Sequence, residues 1–84
     1  MNEFYILTFN NTHEAMQAES VCISEKVKVV MMPTPTYITK SCGISLKVGS
    51  EEEVRVIELI NLEKIIYKTI YQMKDGKLKE LTIT

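Results

Sequence analysis

Apolar and polar positions along the chain form segments that predict five strands and two helices. Short apolar runs rich in β-branched and aromatic residues are typical of strands, whereas apolar residues three to four positions apart are typical of an amphipathic helix. The strands are predicted, in chain order, at 3–9, 27–32, 44–48, 65–73 and 78–83. With a helix after the first and third strands, the element order is βαββαββ.

The two predicted helices begin at capping signals. Asn11 can cap the first helix, and Glu14, three residues later, completes a capping box. Ser50 and Glu53 predict the same arrangement for the second helix, whose first turn carries acidic residues that suit the positive end of a helix dipole. The buried residues are expected to be Ala15, Ala18 and Cys22 in the first helix, and Val54, Ile57 and Ile60 in the second.

Proline and glycine mark the breaks between these elements. Pro33-Thr34-Pro35 is expected to end the second strand, because proline has no N–H for a sheet ladder. The irregular segment that follows closes at Ser41-Cys42-Gly43. Asp75-Gly76 predicts a two-residue hairpin turn between the last two strands.

This order of elements predicts an α+β fold in a single domain, residues 1–84. The first six elements fit the ferredoxin-like split β-α-β sandwich (βαββαβ), which has two helices on one face of an antiparallel sheet. The hairpin then adds a further C-terminal β-strand at the edge.

Composition excludes several classes of function. The 84 residues are 45% hydrophobic with a formal net charge of −1. A nucleic-acid binder normally has a basic surface, so no nucleic acid is expected as a partner. No stretch approaches the roughly 18 consecutive apolar residues of a membrane helix, and the N-terminus does not resemble a signal peptide. We therefore expect a cytoplasmic protein with no membrane partner.

The chain has two cysteines and one histidine as its most reactive side chains. In the cytoplasm Cys22 and Cys42 are expected to be reduced thiols and not a disulfide. Together with His13 they are too few for a structural zinc site, which needs four ligands. We expect neither a metal nor a cofactor.

The predicted topology gives the two cysteines different surroundings. Cys22 belongs to the apolar stripe of the first helix and is interpreted as a small buried hydrophobe. Cys42 leads into the third strand, whose start lies beside the end of the first strand and hence near the N-terminus of the first helix. A helix N-terminus favours the reactive thiolate. His13 and Lys40 are further candidates to stabilise that thiolate.

The sequence favours a carrier over a stand-alone enzyme. A nucleophilic enzyme needs a base beside its cysteine and a third group that orients the base, and this chain has a single histidine. A thiol that accepts an atom and passes it on needs only ionisation, exposure and a docking surface.

The segment Pro33-Thr34-Pro35, Ile38, Ser41-Cys42-Gly43, Ile44-Ser45-Leu46 resembles a small bacterial family described as selenium/sulfur (Se/S) carrier protein-like, a domain of unknown function. Phe9, His13, Ala15, Ala18 and Glu19 are similar to the family too, and the resemblance covers about residues 3 to 72. The family often has a basic residue soon after the second proline, where this chain has Thr36 and Tyr37.

The resemblance implies a sulfur or selenium carrier that relays the atom between donor and acceptor proteins. Cys42 matches the motif cysteine and is the expected reactive residue. The motif residues around it form the supporting loop: Pro33, Thr34, Pro35, Ser41 and Gly43.

A second hypothesis is a non-catalytic interaction module. Both faces of the first strand are apolar, with Tyr5, Leu7 and Phe9 on one and Phe4 and Ile6 on the other. Helices can cover one face only, and an exposed apolar face usually marks an interface. This hypothesis predicts a homodimer, and it is compatible with a carrier.

Overall fold

The chain folds into two helices and one five-stranded sheet. A computed structural model describes residues 3–35, 38 and 42–81. The elements are β1 (Phe4–Thr8), α1 (Thr12–Ser24), β2 (Val29–Pro33), β3 (Ile44–Gly49), a 3₁₀ turn (Ser50–Glu52), α2 (Glu53–Asn61), β4 (Thr69–Lys74) and β5 (Lys77–Leu81). The predicted α+β class is confirmed.

The strand order in the sheet is β2-β3-β1-β4-β5, and every neighbouring pair is antiparallel. Because β3 lies between β1 and β2, those two strands run in the same direction. Thr8 at the end of β1 is paired with Ser45, and Pro33 at the end of β2 is paired with Ile44. The last residues of β1 and β2 therefore lie beside the first residues of β3, at the same end of the sheet.

The core lies between the helices and one face of the sheet. Alternate residues of β1 point towards the helices, where Tyr5 and Leu7 are buried, and Phe9 just after the strand is buried with them. The predicted small residues of α1 are buried in the same cluster, so this helix can approach the sheet closely. The other buried members are Val27, Leu46, Val48, Val56, Leu59, Ile65 and Ile70. Full burial of one large apolar side chain contributes about 1.5–3 kcal/mol.

The start of α1 follows the prediction, with one difference. The side-chain oxygen of Asn11 accepts a hydrogen bond from the backbone N–H of Glu14 at 2.8 Å. The Glu14 carboxylate, however, accepts from the backbone and side-chain nitrogens of Asn10 and not from the N–H of the capping residue. The cap is therefore confirmed, and the return bond of the box goes to the residue before it.

The capping box predicted for α2 is wrong. Ser50 lies in the 3₁₀ turn, and α2 begins at Glu53 with no side-chain cap. The buried face of α2 also differs from the prediction, since Val54 is 76% exposed, while Val56 and Leu59 are buried. Ile57 and Ile60, also predicted to be buried, are partly buried.

The strand ends differ slightly from the predictions. Pro33 does not precede a break but is the last residue of β2, an edge strand on which a missing N–H is tolerated. β4 begins at Thr69, four residues later than predicted. The hairpin turn is confirmed, since Asp75 and Gly76 have φ of 54° and 75°, as a two-residue turn of this kind requires. The predicted end of β5 at 82–83 lies outside the described residues.

The face of the sheet opposite the helices is largely apolar, and we call it the open face. The strand register places on it, besides the buried Ile6, Thr8 and Ser45, the residues Phe4, Val30, Met32, Lys47, Thr69, Tyr71, Met73, Leu78 and Glu80. The Lys47 ammonium lies 4.5 Å from the centre of the Phe4 ring, a cation–π contact. Val30 is 57% exposed. In the described part of the chain, no helix is long and apolar enough to cross a membrane.

Candidate functional site: the Cys42 thiol and its loop

Cys42 lies where the ends of β1 and β2 meet the start of β3. Its backbone N–H donates to the carbonyl oxygen of Phe9 at 3.1 Å, and Phe9 directly follows β1. This bond extends the pairing of β1 with β3 beyond the Thr8–Ser45 pair. The predicted position of Cys42 beside the end of the first strand is thus confirmed.

Thr34 holds the main chain on both sides of this position. Its backbone N–H donates to the carbonyl of Gly43 at 3.0 Å, and its hydroxyl donates to the carbonyl of Cys42 at 3.2 Å. The same hydroxyl lies 2.6 Å from that of Ser45. A hydroxyl has one proton, so Thr34 accepts from Ser45 when it donates to the Cys42 carbonyl. Thr34 and Ser45 therefore form a hydrogen-bonded clamp on the main chain of Cys42 and Gly43.

The Cys42 side chain is half-buried and packs against the edge of the hydrophobic core. Its Sγ–H donates to the carbonyl oxygen of Ile44, with a sulfur-to-oxygen distance of 3.3 Å. The sequence placed this thiol in a loop and not in a periodic core face. It lies at the rim of the core, where one side of the side chain is packed and the other is accessible.

Cys22 has the opposite character. Its side chain is 1% exposed within α1. Burial raises the pKa of its thiol to about 11, and the negative charges of Glu19 and Glu52 add to the effect. Both cysteines are thiols and not a disulfide. The interpretation of Cys22 as a small buried hydrophobe is confirmed.

The described geometry does not test the roles of the two candidate cations, His13 and Lys40. His13 lies in the first turn of α1 and is exposed. Lys40 and Ser41 lie outside the described residues, as do Thr36 and Tyr37. The roles of His13, Lys40 and Ser41 stay predictions.

The remaining motif residues shape the loop. Pro33 ends β2, and the carbonyl of Pro35 accepts a hydrogen bond from the N–H of Ile38 at 3.0 Å. Ile38 is buried. A Cβ added at Gly43 would meet no described atom within 4 Å. Space is therefore open beside the residue that follows the thiol.

The sequence did not identify Ser45 as part of this site. A serine that alternates with apolar residues in a strand is typical of a solvent-facing position. Ser45 is 0% exposed, because it lies on the open face under the loop that carries Thr34. No local sequence signal joins Ser45 to Thr34, because the two residues belong to different segments of the chain.

Metal binding has no support in the described residues, among which no group of three or more His, Cys, Asp or Glu side chains is placed to hold an ion. The arrangement is that of one accessible thiol on a clamped turn.

A model of the protein family described as "Putative Se/S carrier protein-like" matches residues 4–72. The matched residues include β1, α1, the loop and Cys42, so the resemblance noted in the sequence is confirmed. The chain belongs to this family. No match was found to a curated protein or to a solved structure. The hairpin turn and β5 lie beyond the matched residues.

Proposed function

We propose that this protein carries sulfur or selenium on the thiol of Cys42, receiving the atom from a donor protein and passing it to an acceptor in the cytoplasm. Membership of the Se/S carrier-like family is the observation that carries the proposal. The two thiols differ in a way that supports the choice of residue: Cys42 is half-exposed, whereas Cys22 is buried.

In the loading step, the Cys42 thiolate attacks the outer sulfur of a donor persulfide. The new bond joins Sγ to that sulfur. The sulfur–sulfur bond of the donor breaks, and its electron pair leaves on the donor thiolate. Cys42 becomes a persulfide and no external oxidant is consumed. An acceptor thiolate reverses the chemistry by attacking the outer sulfur and releasing Cys42. Selenium is carried in the same way as the outer atom.

The clamp of Thr34 and Ser45 holds the backbone in place while the Cys42 thiol is ionised and converted to a persulfide. Ionisation removes the Sγ proton, so the hydrogen bond that holds the sulfur beside the Ile44 carbonyl oxygen is lost. The open space beside Gly43 gives the outer atom a place on the accessible side. Lys40, His13 and the backbone near Ser41 are the groups proposed to stabilise the anion.

The test is intact-mass measurement after incubation with a small-molecule persulfide donor. We expect a gain of one sulfur on the wild type and on Cys22→Ala, and none on Cys42→Ala. Circular dichroism establishes that each variant is folded. A gain that persists in Cys42→Ala would show that the carrier residue is wrongly assigned.

We further assign the fold to the ferredoxin-like class. Support comes from β3 lying antiparallel between β1 and β2, and from both helices contributing to one core on one face of the sheet. In this assignment β5 is an addition at the edge beyond β4.

We also propose that the open face joins two copies of the chain, which leaves Cys42 available to donor and acceptor. The charged residues of this face in the described strands are Lys47 and Glu80, so two copies meet without net repulsion. Light scattering is expected to give a dimer for the wild type and a monomer for Val30→Asp. Val54→Asp, at an exposed valine of α2, is the control and stays dimeric. A monomeric wild type at high micromolar concentration would refute the interface.

A further inference from the structure

A shallow cavity lies on the β4–β5 hairpin, away from the thiol. Its volume is about 370 Å³, and its walls are Gln72, Lys74, Asp75, Lys77 and Lys79. Met73 is paired with Phe4 at the start of β1, while Cys42 is bonded to Phe9 just after the end of that strand. The cavity and Cys42 therefore lie near opposite ends of β1.

The strand register concentrates positive charge in this cavity. Lys74 is directly opposite Lys77, and Gln72 is directly opposite Lys79. Because paired residues share a face, all four side chains point to the same side. Three ammonium groups line the cavity with one carboxylate, that of Asp75, and a second carboxylate, that of Glu3, is bonded to the Gln72 side chain. Positive charge therefore exceeds negative charge here, although the chain as a whole has a net charge of −1.

These lysines have no ion-pair partner among the residues that the structure describes. In the described ranges, none of the three has a carboxylate oxygen within 4.0 Å, whereas Lys64 and Arg55 are both paired with Glu25. Like charges directly opposite each other in a sheet are destabilising. The Lys74–Lys77 pair is thus an unfavourable arrangement that no ion pair among the described residues offsets.

Protection of the sheet edge explains only part of this arrangement. Lysines on an edge strand discourage pairing with another chain, and Lys77 and Lys79 lie on the edge strand β5. Lys74, however, lies on the inner strand β4. The other edge strand, β2, has no lysine between Val29 and Pro33.

We propose that this cavity binds a small anion through a phosphate group, either free phosphate or a phosphate monoester. Its volume is at the lower end of the range of about 300–1,000 Å³ found for small-molecule sites. Lysine binds phosphate as a point charge and does not need the planar geometry of arginine. The Gln72 amide is already engaged by the carboxylate of Glu3 at 2.6 Å, so the lysines supply the contacts. The site is independent of the chemistry at Cys42.

The experiment is a ¹H–¹⁵N NMR titration of the full chain with inorganic phosphate, at ionic strength held constant with chloride. Backbone amides of residues 72–79 are expected to shift and saturate. Removal of one exposed charged contact weakens binding about two- to fivefold, which is the expected effect of Lys77→Gln. The double variant Lys74→Gln/Lys77→Gln is expected to lose saturable binding. Lys28→Gln, at an exposed lysine before β2, is the matched control and leaves the affinity unchanged.

A parallel titration with glycerol 3-phosphate distinguishes the two sources of the phosphate group. Equal affinity for the two probes identifies the free anion as sufficient, and tighter binding of the ester identifies a phosphorylated molecule. Shifts that do not saturate, or that Lys28→Gln reduces as much as Lys77→Gln, would overturn the proposal. Binding of an acidic peptide but of neither phosphate probe would overturn it too.

Discussion

The difference between the two cysteines gives the sharpest prediction. The pKa of the Cys22 thiol is about 11. At about pH 7.5, the ionised fraction of such a thiol is roughly 3 × 10⁻⁴. An ordinary exposed cysteine, with a pKa of about 8.5, is ionised to roughly one tenth at that pH. Since only the thiolate reacts with an alkylating reagent, ionisation alone slows Cys22 about 300-fold relative to an ordinary exposed cysteine.

Burial increases the difference further. Cys22 is 1% exposed, so a reagent reaches it only when α1 separates from the sheet. Cys42 is half-exposed at the rim of the core and needs no such opening. Even if half-burial slows Cys42 severalfold, we expect it to react about 100 times faster than Cys22 or more.

The assay is alkylation with iodoacetamide, quenched at intervals and followed by peptide mapping of both sites. Cys22→Ala and Cys42→Ala isolate each rate. In denaturant the two rates should become similar, because unfolding removes the burial that shields Cys22 and raises its pKa. Equal labelling of the two thiols in the folded protein would refute the reasoning.

Three further predictions concern stability. Replacing Thr34 with Val leaves the buried Ser45 hydroxyl without its partner, and chemical denaturation should show a loss of about 1–3 kcal/mol; an unchanged midpoint would contradict the clamp. Replacing Cys42 with Ala should cost about 1 kcal/mol or less, because the side chain is only half-buried; loss of the fold would contradict this. Burial raises the folded-state pKa of Cys22 to about 11 and that of Tyr5 to about 12. Both groups therefore stabilise the fold fully below about pH 9, and that contribution is lost as pH rises through those values. For Cys22 it amounts to about 2–3 kcal/mol, and a Cys22→Ala variant with the same alkaline loss as the wild type would contradict the assignment.

Much of the fold was predictable because its signals are local. The Asn11 cap depends on one side chain and a backbone N–H three residues away, and the Asp75-Gly76 turn depends on two residues that tolerate positive φ. The start of α2 was not predictable in this way. Ser50 and Glu53 have the spacing of a capping box, but the chain makes a 3₁₀ turn there, and the apolar Val54 faces solvent.

The candidate site was likewise predictable only in part. The position of Cys42 follows from strand order, since a strand that returns between two parallel strands must begin beside the end of one of them. The clamp of Thr34 and Ser45 was not predictable, because it joins residues of different segments across a loop. Only the three-dimensional arrangement shows that an ordinary alternating serine is buried against a threonine between two prolines.

A carrier must release its atom as well as accept it, so the most direct test follows both steps. The protein is loaded from a persulfide donor, the donor is removed, and an acceptor thiol is added while intact mass is recorded. We predict that one sulfur appears on Cys42, maps to its peptide, and leaves when the acceptor gains a persulfide, with Cys22→Ala behaving like the wild type. Failure of the folded protein to load at Cys42, or loading that Cys42→Ala retains, would contradict the account.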